Sequence, residues 1–354
     1  MITRRNLLIT GLGGTAATWA QDQNPIVVQA INVVAPVTVT DKDGRYINGL
    51  EAKDFTLFDN KKPQDTKVDV SFIPISLVVA VQANNMVEPA LPAIKKIGPL
   101  LEGLVIGEQG EAAILKFDHR IQEIQPFTND AKLFTRALES IQPGSSTSAM
   151  IDTVFHATRM LRNRPSSHRK ILLLIAETQD KGSEGRVREA MLAAEINNII
   201  IYSININRAV TSLLKKMDPP KQSPIPPAAR VHIPGAPQTP GMADALTGYG
   251  GEAGNVVPLM QEVLKQIKYV FVPNPLEVFT RYTGGREFSF VSQRTLERVV
   301  GDLGEELHSQ YLLSYSPSDE VRAMAGWHDI RVTVNRPNLK VRTRDGYWMA
   351  AKFN

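Results

Sequence analysis

Hydrophobic and polar positions follow three successive patterns along this chain. From residue 26 to 72 they alternate at period two. Val37 and Val39 stand against Thr38 and Thr40, and the run Phe55, Thr56, Leu57, Phe58 follows. Polar turns at Asp41, Lys42, Asp43, Gly44 and at Asp59, Asn60, Lys61 break these runs, which predicts β-hairpins with one buried face. From Leu77 onward strand-like and helix-like segments alternate. Strands are expected at 77–81, 111–117, 171–175 and 199–206, with an antiparallel edge partner at 120–125, and helices near 90–104, 130–141, 149–162 and 184–197. That alternation predicts a doubly wound, mostly parallel sheet covered by helices on both faces.

The third pattern is an interruption. Segment 209–256 holds eight of the chain's 23 prolines between Pro219 and Pro240, followed by Gly248, Gly250 and Gly251, and reads as a long excursion without ladders or helices. Beyond it the pattern predicts helices at 259–270 and at 275–283, the second stopped by Gly284 and Gly285. Strand 286–290, helix 293–309, strand 311–315 and β-segments at 328–334 and 339–344 complete the chain. The division that results is a 26–72 β-segment, an α/β domain over 73–315, and a 316–354 β-segment packing with the first as a small β-domain from both chain ends.

Composition adds the compartment. The 354 residues are 43% hydrophobic and 21% charged, ordinary globular proportions. Residues 1–20 stand apart, because Arg4 and Arg5 precede an acid-free apolar stretch ending in Thr18, Trp19, Ala20. This reads as an export signal of the twin-arginine type, placing the product in the periplasm or outside the cell. Leaving out those two arginines lowers the formal charge of +4 by two, so nothing demands nucleic acid. No later run approaches a membrane span, and with no cysteine the chain forgoes disulfides.

The most informative stretch is Ser76, Leu77, Val78, Val79, Ala80, Val81, which ends in Gln82, Ala83, Asn84, Asn85, Met86. A continuous apolar run reads as a strand buried on both faces, and ligands of open α/β sheets bind at the loops beyond such strands. Two more loops belong beside it: Gly144, Ser145, Ser146, Thr147, Ser148, where Ser148 is the expected cap of the following helix, and Ala176, Glu177, Thr178, Gln179, Asp180.

With these loops, the opening Val37 to Gly44, the block Asp54 to Phe58 and the ending Glu306, Leu307, His308, Ser309, Gln310, Tyr311, the chain resembles a von Willebrand factor type A (VWFA) domain. More narrowly it is similar to the bacterial VWFA-related proteins of acidobacteria. The resemblance implies a Rossmann-like sheet and a metal-ion-dependent adhesion site with a D-x-S-x-S loop, a threonine and an aspartate. Laid on that pattern, Val81, Ala83 and Asn85 fall at the first-loop ligands, Ser148 or alternatively Thr147 at the threonine, and Glu177 at the aspartate. The implied site is degenerate. It has lost one of two carboxylates, so no cofactor is expected, the alternative being a weak magnesium site of Asn85, Ser148 and Glu177 helped by Asp180.

The expected function is recognition of another protein or an envelope polymer through Gln82, Asn84, Asn85, Ser146, Thr147, Ser148, Glu177 and Asp180. The rivals are an envelope hydrolase or transferase using Glu177 and Asp180 as acid and base, and an inert structural subunit. The six histidines are scattered without metal-ligand spacing, and neither a G-x-S-x-G elbow nor a phosphate-binding glycine loop with lysine occurs.

Overall fold

Period-two alternation at the start of the chain produces β1 (Val33–Thr40), β2 (Phe55–Asp59), β3 (Lys62–Gln64) and β4 (Lys67–Asp69). The apolar run becomes β5 (Ile75–Gln82), in which every residue is buried. There follow β6 (Glu111–Phe117), β7 (Ile121–Thr128), α1 (Ala131–Ser140), α2 (Met150–Arg162), β8 (Arg169–Ala176), α3 (Val187–Ile196) and β9 (Ile199–Ile206). Then come α4 (Pro275–Thr283), β10 (Glu287–Phe290), α5 (Gln293–Ser309), β11 (Tyr311–Tyr315), β12 (Gly326–Val334), β13 (Lys340–Arg342) and β14 (Gly346–Met349). This computed structural model describes residues 32–69, 73–206, 274–322, 324 and 326–349. The expected export signal, the excursion 209–256 and the helix 259–270 lie outside the described residues.

Six strands form one sheet in the order β10-β9-β8-β5-β6-β7, parallel except for the antiparallel edge strand β7. Counted from β5 this is the 3-2-1-4-5-6 order of doubly wound sheets. Side-chain alternation explains why β5 is apolar from Leu77 to Val81. Leu77, Val79 and Val81 enter one apolar cluster with α5 and the 88–106 segment, while Val78 and Ala80 enter another with α2, α3 and α4. Helix starts follow capping chemistry: Asp130 accepts from the Lys132 and Leu133 amides, Asn274 from Leu276 and Glu277, and Ser292 from Thr295. At the end of α4, Gly284 takes φ +83°, and a Cβ there would lie 2.4 Å from Pro36 of β1.

Two expectations are corrected. The helix near 90–104 is instead a chain of short turns, Glu88–Ala90, Leu91–Ile94, Lys95–Ile97, Gly98–Leu101 and Glu102–Ile106. Pro89, Pro92 and Pro99 each stand at the first or second position of one of these turns, where a missing N–H costs nothing, and together they prevent one continuous ladder. The strand 311–315, expected to close the α/β unit, pairs with β1 and β4 instead. Two four-stranded sheets, β13-β1-β11-β4 and β14-β12-β2-β3, thus draw strands from both ends of the chain around a shared apolar cluster that includes Val37, Leu57, Leu313 and Ile330.

Buried polar side chains tie these sheets to the parallel one. Glu306 of α5, with no exposed surface, is paired with Arg342 of β13 and lies 3.6 Å from Arg286. Arg169, at the start of β8, donates to the Leu307 carbonyl at 2.7 Å and to the Gln310 side chain, which in turn donates to the Tyr202 hydroxyl at 3.2 Å.

A second buried pair lies between the end sheets. His328 Nδ1 meets Asp59 Oδ1 at 2.8 Å and its Nε2 meets the Met324 carbonyl at 2.8 Å. Both ring nitrogens therefore face acceptors, which requires the imidazolium. The other Asp59 oxygen accepts from Tyr315 at 2.8 Å and Tyr347 at 2.7 Å. Burial pushes the Asp59 carboxyl up, but bonds from His328, Tyr347 and Tyr315 outweigh it and hold the group below its ordinary value. Burial likewise pushes His328 down, and its bonds to Asp59 and the Met324 carbonyl more than reverse this.

The sign of the linkage follows. The raised imidazole contributes fully below its unfolded value of 6.5 and loses that contribution as pH rises through the folded value. The depressed carboxyl contributes above 3.8 and loses it as pH falls. His328→Gln should cost about 3–5 kcal/mol and flatten the alkaline side of the stability profile, measured by urea unfolding across pH.

Candidate functional site

Three loops meet where β5, β6 and β8 end, and backbone bonds hold them in register. The Ala83 amide donates to the Phe117 carbonyl at 2.8 Å, and the Asn85 amide to the Ser145 carbonyl at 3.0 Å. Asn84, itself buried, accepts from the Val87 amide at 3.3 Å and donates from its side chain toward the Ser146 carbonyl at 3.4 Å. Between β5 and β8 the Gln82 side chain makes a two-point contact with Glu177. Its Oε1 accepts from the Glu177 amide at 3.0 Å, and its Nε2 donates to the Glu177 carboxylate at 3.3 Å. Gln82 has no exposed surface and Glu177 is 3% exposed, so this is a buried polar closure rather than a solvent contact.

The structure brings Gln82 to Glu177, Asn84 to Ser146, and Asn85 to the second loop. It separates the remaining expected roles. Ser148 does not cap α2: Ala149 occupies the cap position, and the Ser148 hydroxyl is buried without a partner among the described residues. Asp180 performs the capping from the neighbouring loop, its Oδ2 accepting from the Ile151 amide at 2.7 Å. The same carboxylate accepts from the Gly182 amide at 3.1 Å, the Ser183 amide at 3.0 Å and the Ser183 hydroxyl at 2.6 Å. Thr147 is half-buried, while Asn85, Met86, Ser146 and Gln179 are exposed.

Two carboxylates outside the expected site residues organise the rest, Asp118, which the sequence reading did not single out, and Asp152 of the helix that carries part of the resemblance. Asp118, just past β6, accepts from the Arg120 amide at 2.7 Å and the Ser145 amide at 2.8 Å. Burial raises its carboxyl, and these amides outweigh burial and hold it below its ordinary value. Gly144 is required beside it, since a Cβ there would fall 2.1 Å from Asp118 Oδ2. Asp152, in the first turn of α2, accepts from the Glu184 amide at 3.0 Å and the Gly185 amide at 2.9 Å. The signal for Asp118 is a lone acid directly after an apolar run.

A divalent ion would need hard oxygen donors converging with enough negative charge to balance it. At the five positions implied by the resemblance, Val81 is packed in the apolar core and Ala83 is buried, and both offer only carbon. Asn85 is exposed, Ser148 offers one unpartnered hydroxyl, and the Glu177 carboxylate already accepts from Gln82. This donor set does not fit a divalent cation. Among the described residues no group of three His, Asp or Glu side chains is placed to hold a metal.

The fold so described is a mixed α/β one with a mostly parallel six-stranded sheet. Among solved structures, the chain is similar to an aerotolerance-related membrane protein from Bacteroides fragilis, at 16% identity over 65% of this chain and 98% of that one, with a TM-score of 0.39. It is also similar to the SpRpn10 VWA domain, at 11% identity over 38% and 76% of the two chains, with a TM-score of 0.32. The vWF domain of the type V pili tip protein Mfa5 from Porphyromonas gingivalis matches at 14% identity over 30% and 39%, with a TM-score of 0.26. No protein-family model matches the chain, and no curated protein does. Overlap of this extent is a likeness only, and the fold class rests on the chain's own strand order.

The capping geometry makes a paired prediction. Asp180→Ala should lower stability by about 1–2 kcal/mol by uncapping α2. Ser148→Ala, which breaks no bond, should stay within about 0.5 kcal/mol of the parent in the same urea titration.

Proposed function

We propose that this chain is a VWFA-type recognition protein without enzymatic activity, exported to the periplasm or beyond. It binds a partner protein or an envelope polymer through the loops 82–86, 144–148 and 177–180. The observation that carries this reading is the two-point contact of Gln82 with Glu177, which closes by amide hydrogen bonding the place where an ion would otherwise join the loops. The exposed groups left at the rim are the Asn85 amide, the Met86 thioether, the Ser146 hydroxyl and the Gln179 amide. These are neutral hydrogen-bonding and soft apolar groups, suited to shape-based docking on a polar partner.

The same geometry argues against acid–base catalysis. Glu177 is buried against Gln82, and all the donors around Asp180 serve to hold the loop and helix. Among the described residues no helix is long and apolar enough to cross a membrane. The end sheets, on this reading, form a supporting β-domain.

Capture from an envelope fraction tests the proposal directly. Binding should survive EDTA unchanged and fall about tenfold or more in Asn85→Lys and Ser146→Lys proteins of parental stability. Loss of binding on chelation, calorimetric uptake of magnesium at micromolar concentration, or a glycan- or peptide-cleaving activity abolished by Glu177→Gln would overturn it.

A further inference from the structure

Between β11 and β12 the chain makes a short helical turn, Asp319–Arg322, after which the Met324 amide donates to the Val321 carbonyl at 3.0 Å. Val321 has no exposed surface, while Met324 is 43% exposed. Polar contacts tie this turn across one end sheet. At β3, Glu320 pairs with Lys62 at 2.5 Å and the Ser318 amide donates to the Gln64 side chain at 3.1 Å. At β12, the Met324 carbonyl meets His328 Nε2 at 2.8 Å. The β3 contacts lie at the surface, where such pairs contribute little. The buried His328 bond is the polar contact that holds the turn.

That bond depends on the charge of the ring. His328 serves two acceptors, Asp59 through Nδ1 and the Met324 carbonyl through Nε2, and once it loses a proton a single N–H remains for both. Charge decides which acceptor is abandoned. Asp59 is a carboxylate and Met324 offers a neutral carbonyl, and a charge-assisted bond is roughly twice as strong as a neutral one. The remaining proton therefore stays on Nδ1. Nε2 then turns a lone pair toward the Met324 oxygen, beside a ring with no exposed surface, and the carbonyl has to move to find another donor.

Among the described residues, the other groups around the ring keep their charge state through this step. Burial pushes the Tyr315 and Tyr347 hydroxyls, both bonded to Asp59, well above their ordinary value of 10. Arg344 lies over the Tyr347 ring, 5.4 Å from its centroid, and stays a cation. Asp319 and Glu320 on the turn and Asp329 on β12 are exposed acids.

We infer that His328 is a pH-operated latch: on deprotonation it keeps Asp59, releases the Met324 carbonyl and frees the turn that carries Val321 and Met324, while β2, β12 and β14 stay paired. The latch is closed at pH 6.5 and below and opens as pH rises through the folded value of the imidazole, which Asp59 and the Met324 carbonyl hold above 6.5 against burial. A turn of four helical residues does not hold itself together once undocked. Opening uncovers Val321 beside the already exposed Met324, so the apolar surface there grows on the alkaline side. The latch is independent of the loop edge proposed above.

The test uses the full chain. Ring ¹⁵N shifts should show His328 protonated on both nitrogens at about pH 6 and only on Nδ1 after its titration. Over the same pH interval the Met324 amide should lose about tenfold or more of its hydrogen-exchange protection, corrected for the intrinsic rate, while amides of β2 and β12 keep theirs. Lys62→Gln removes the exposed ion pair of the turn and should leave the midpoint of this step unmoved. A step that vanishes in Lys62→Gln, an Nε2–H tautomer at alkaline pH, Met324 protection unchanged through the titration of His328, or loss of β2 and β12 protection together with it would each overturn the inference.

Discussion

A carboxylate with no exposed surface has to be neutralised where it sits, and Glu306 is neutralised by cations from two other parts of the chain. Arg342 reaches it from β13 and Arg286 from the start of β10's segment, while Arg169 anchors the same helix end through the Leu307 carbonyl. Removing Arg342 would leave the buried charge to the more distant Arg286 alone, so this pair ties β13 of the end sheets to α5 on the parallel sheet. Arg169 opens β8 and Glu177 follows its end, so at about 3.3 Å per residue the anchor and the loop edge lie roughly 25 Å apart. Docking of the end sheets therefore leaves the carboxyl edge of the parallel sheet uncovered by that contact.

At that edge the chain spends polar groups on itself. Gln82 fastens Glu177, Asp118 fastens the second loop through the Ser145 amide, and Asp180 holds both its own loop and the first turn of α2. Asp118 and Asp180 accept chiefly from backbone amides, and the Glu177 carboxylate accepts from the Gln82 side-chain amide. The loops are thus held in place by the chain's own groups, which on the proposed reading lowers the entropic cost of docking.

The strands were legible because each obeyed one period. β5 was apolar from Leu77 to Val81 and had to be central, and the alternation of Val37 to Thr40 had to lie on a half-buried sheet. Helices α1, α4 and α5 fall within the expected 130–141, 275–283 and 293–309, and the structure shows Asp130, Asn274 and Ser292 capping them. What escaped reading was set by neighbours distant in sequence. Ser148 looks like a cap until Asp180 arrives from another loop, and β14 has no pattern of its own beyond Gly346 to Met349, four residues whose order comes from pairing with β12. The 88–106 segment carries helical spacing, yet its three prolines cut the ladder. Tyr311–Tyr315 reads equally well as a strand of either sheet, and only its partner β1 decides.

That pairing has a consequence for biosynthesis. Tyr311 of β11 lies 264 residues beyond Ile47, whose carbonyl it binds. At about 5–20 residues per second of ribosomal elongation, β1 waits roughly 13–50 s after emerging before its mate exists. Throughout that interval Val33, Ala35, Val37 and Val39 form a sticky, unmated ribbon. A nascent chain built this way depends on being sheltered until its tail is made.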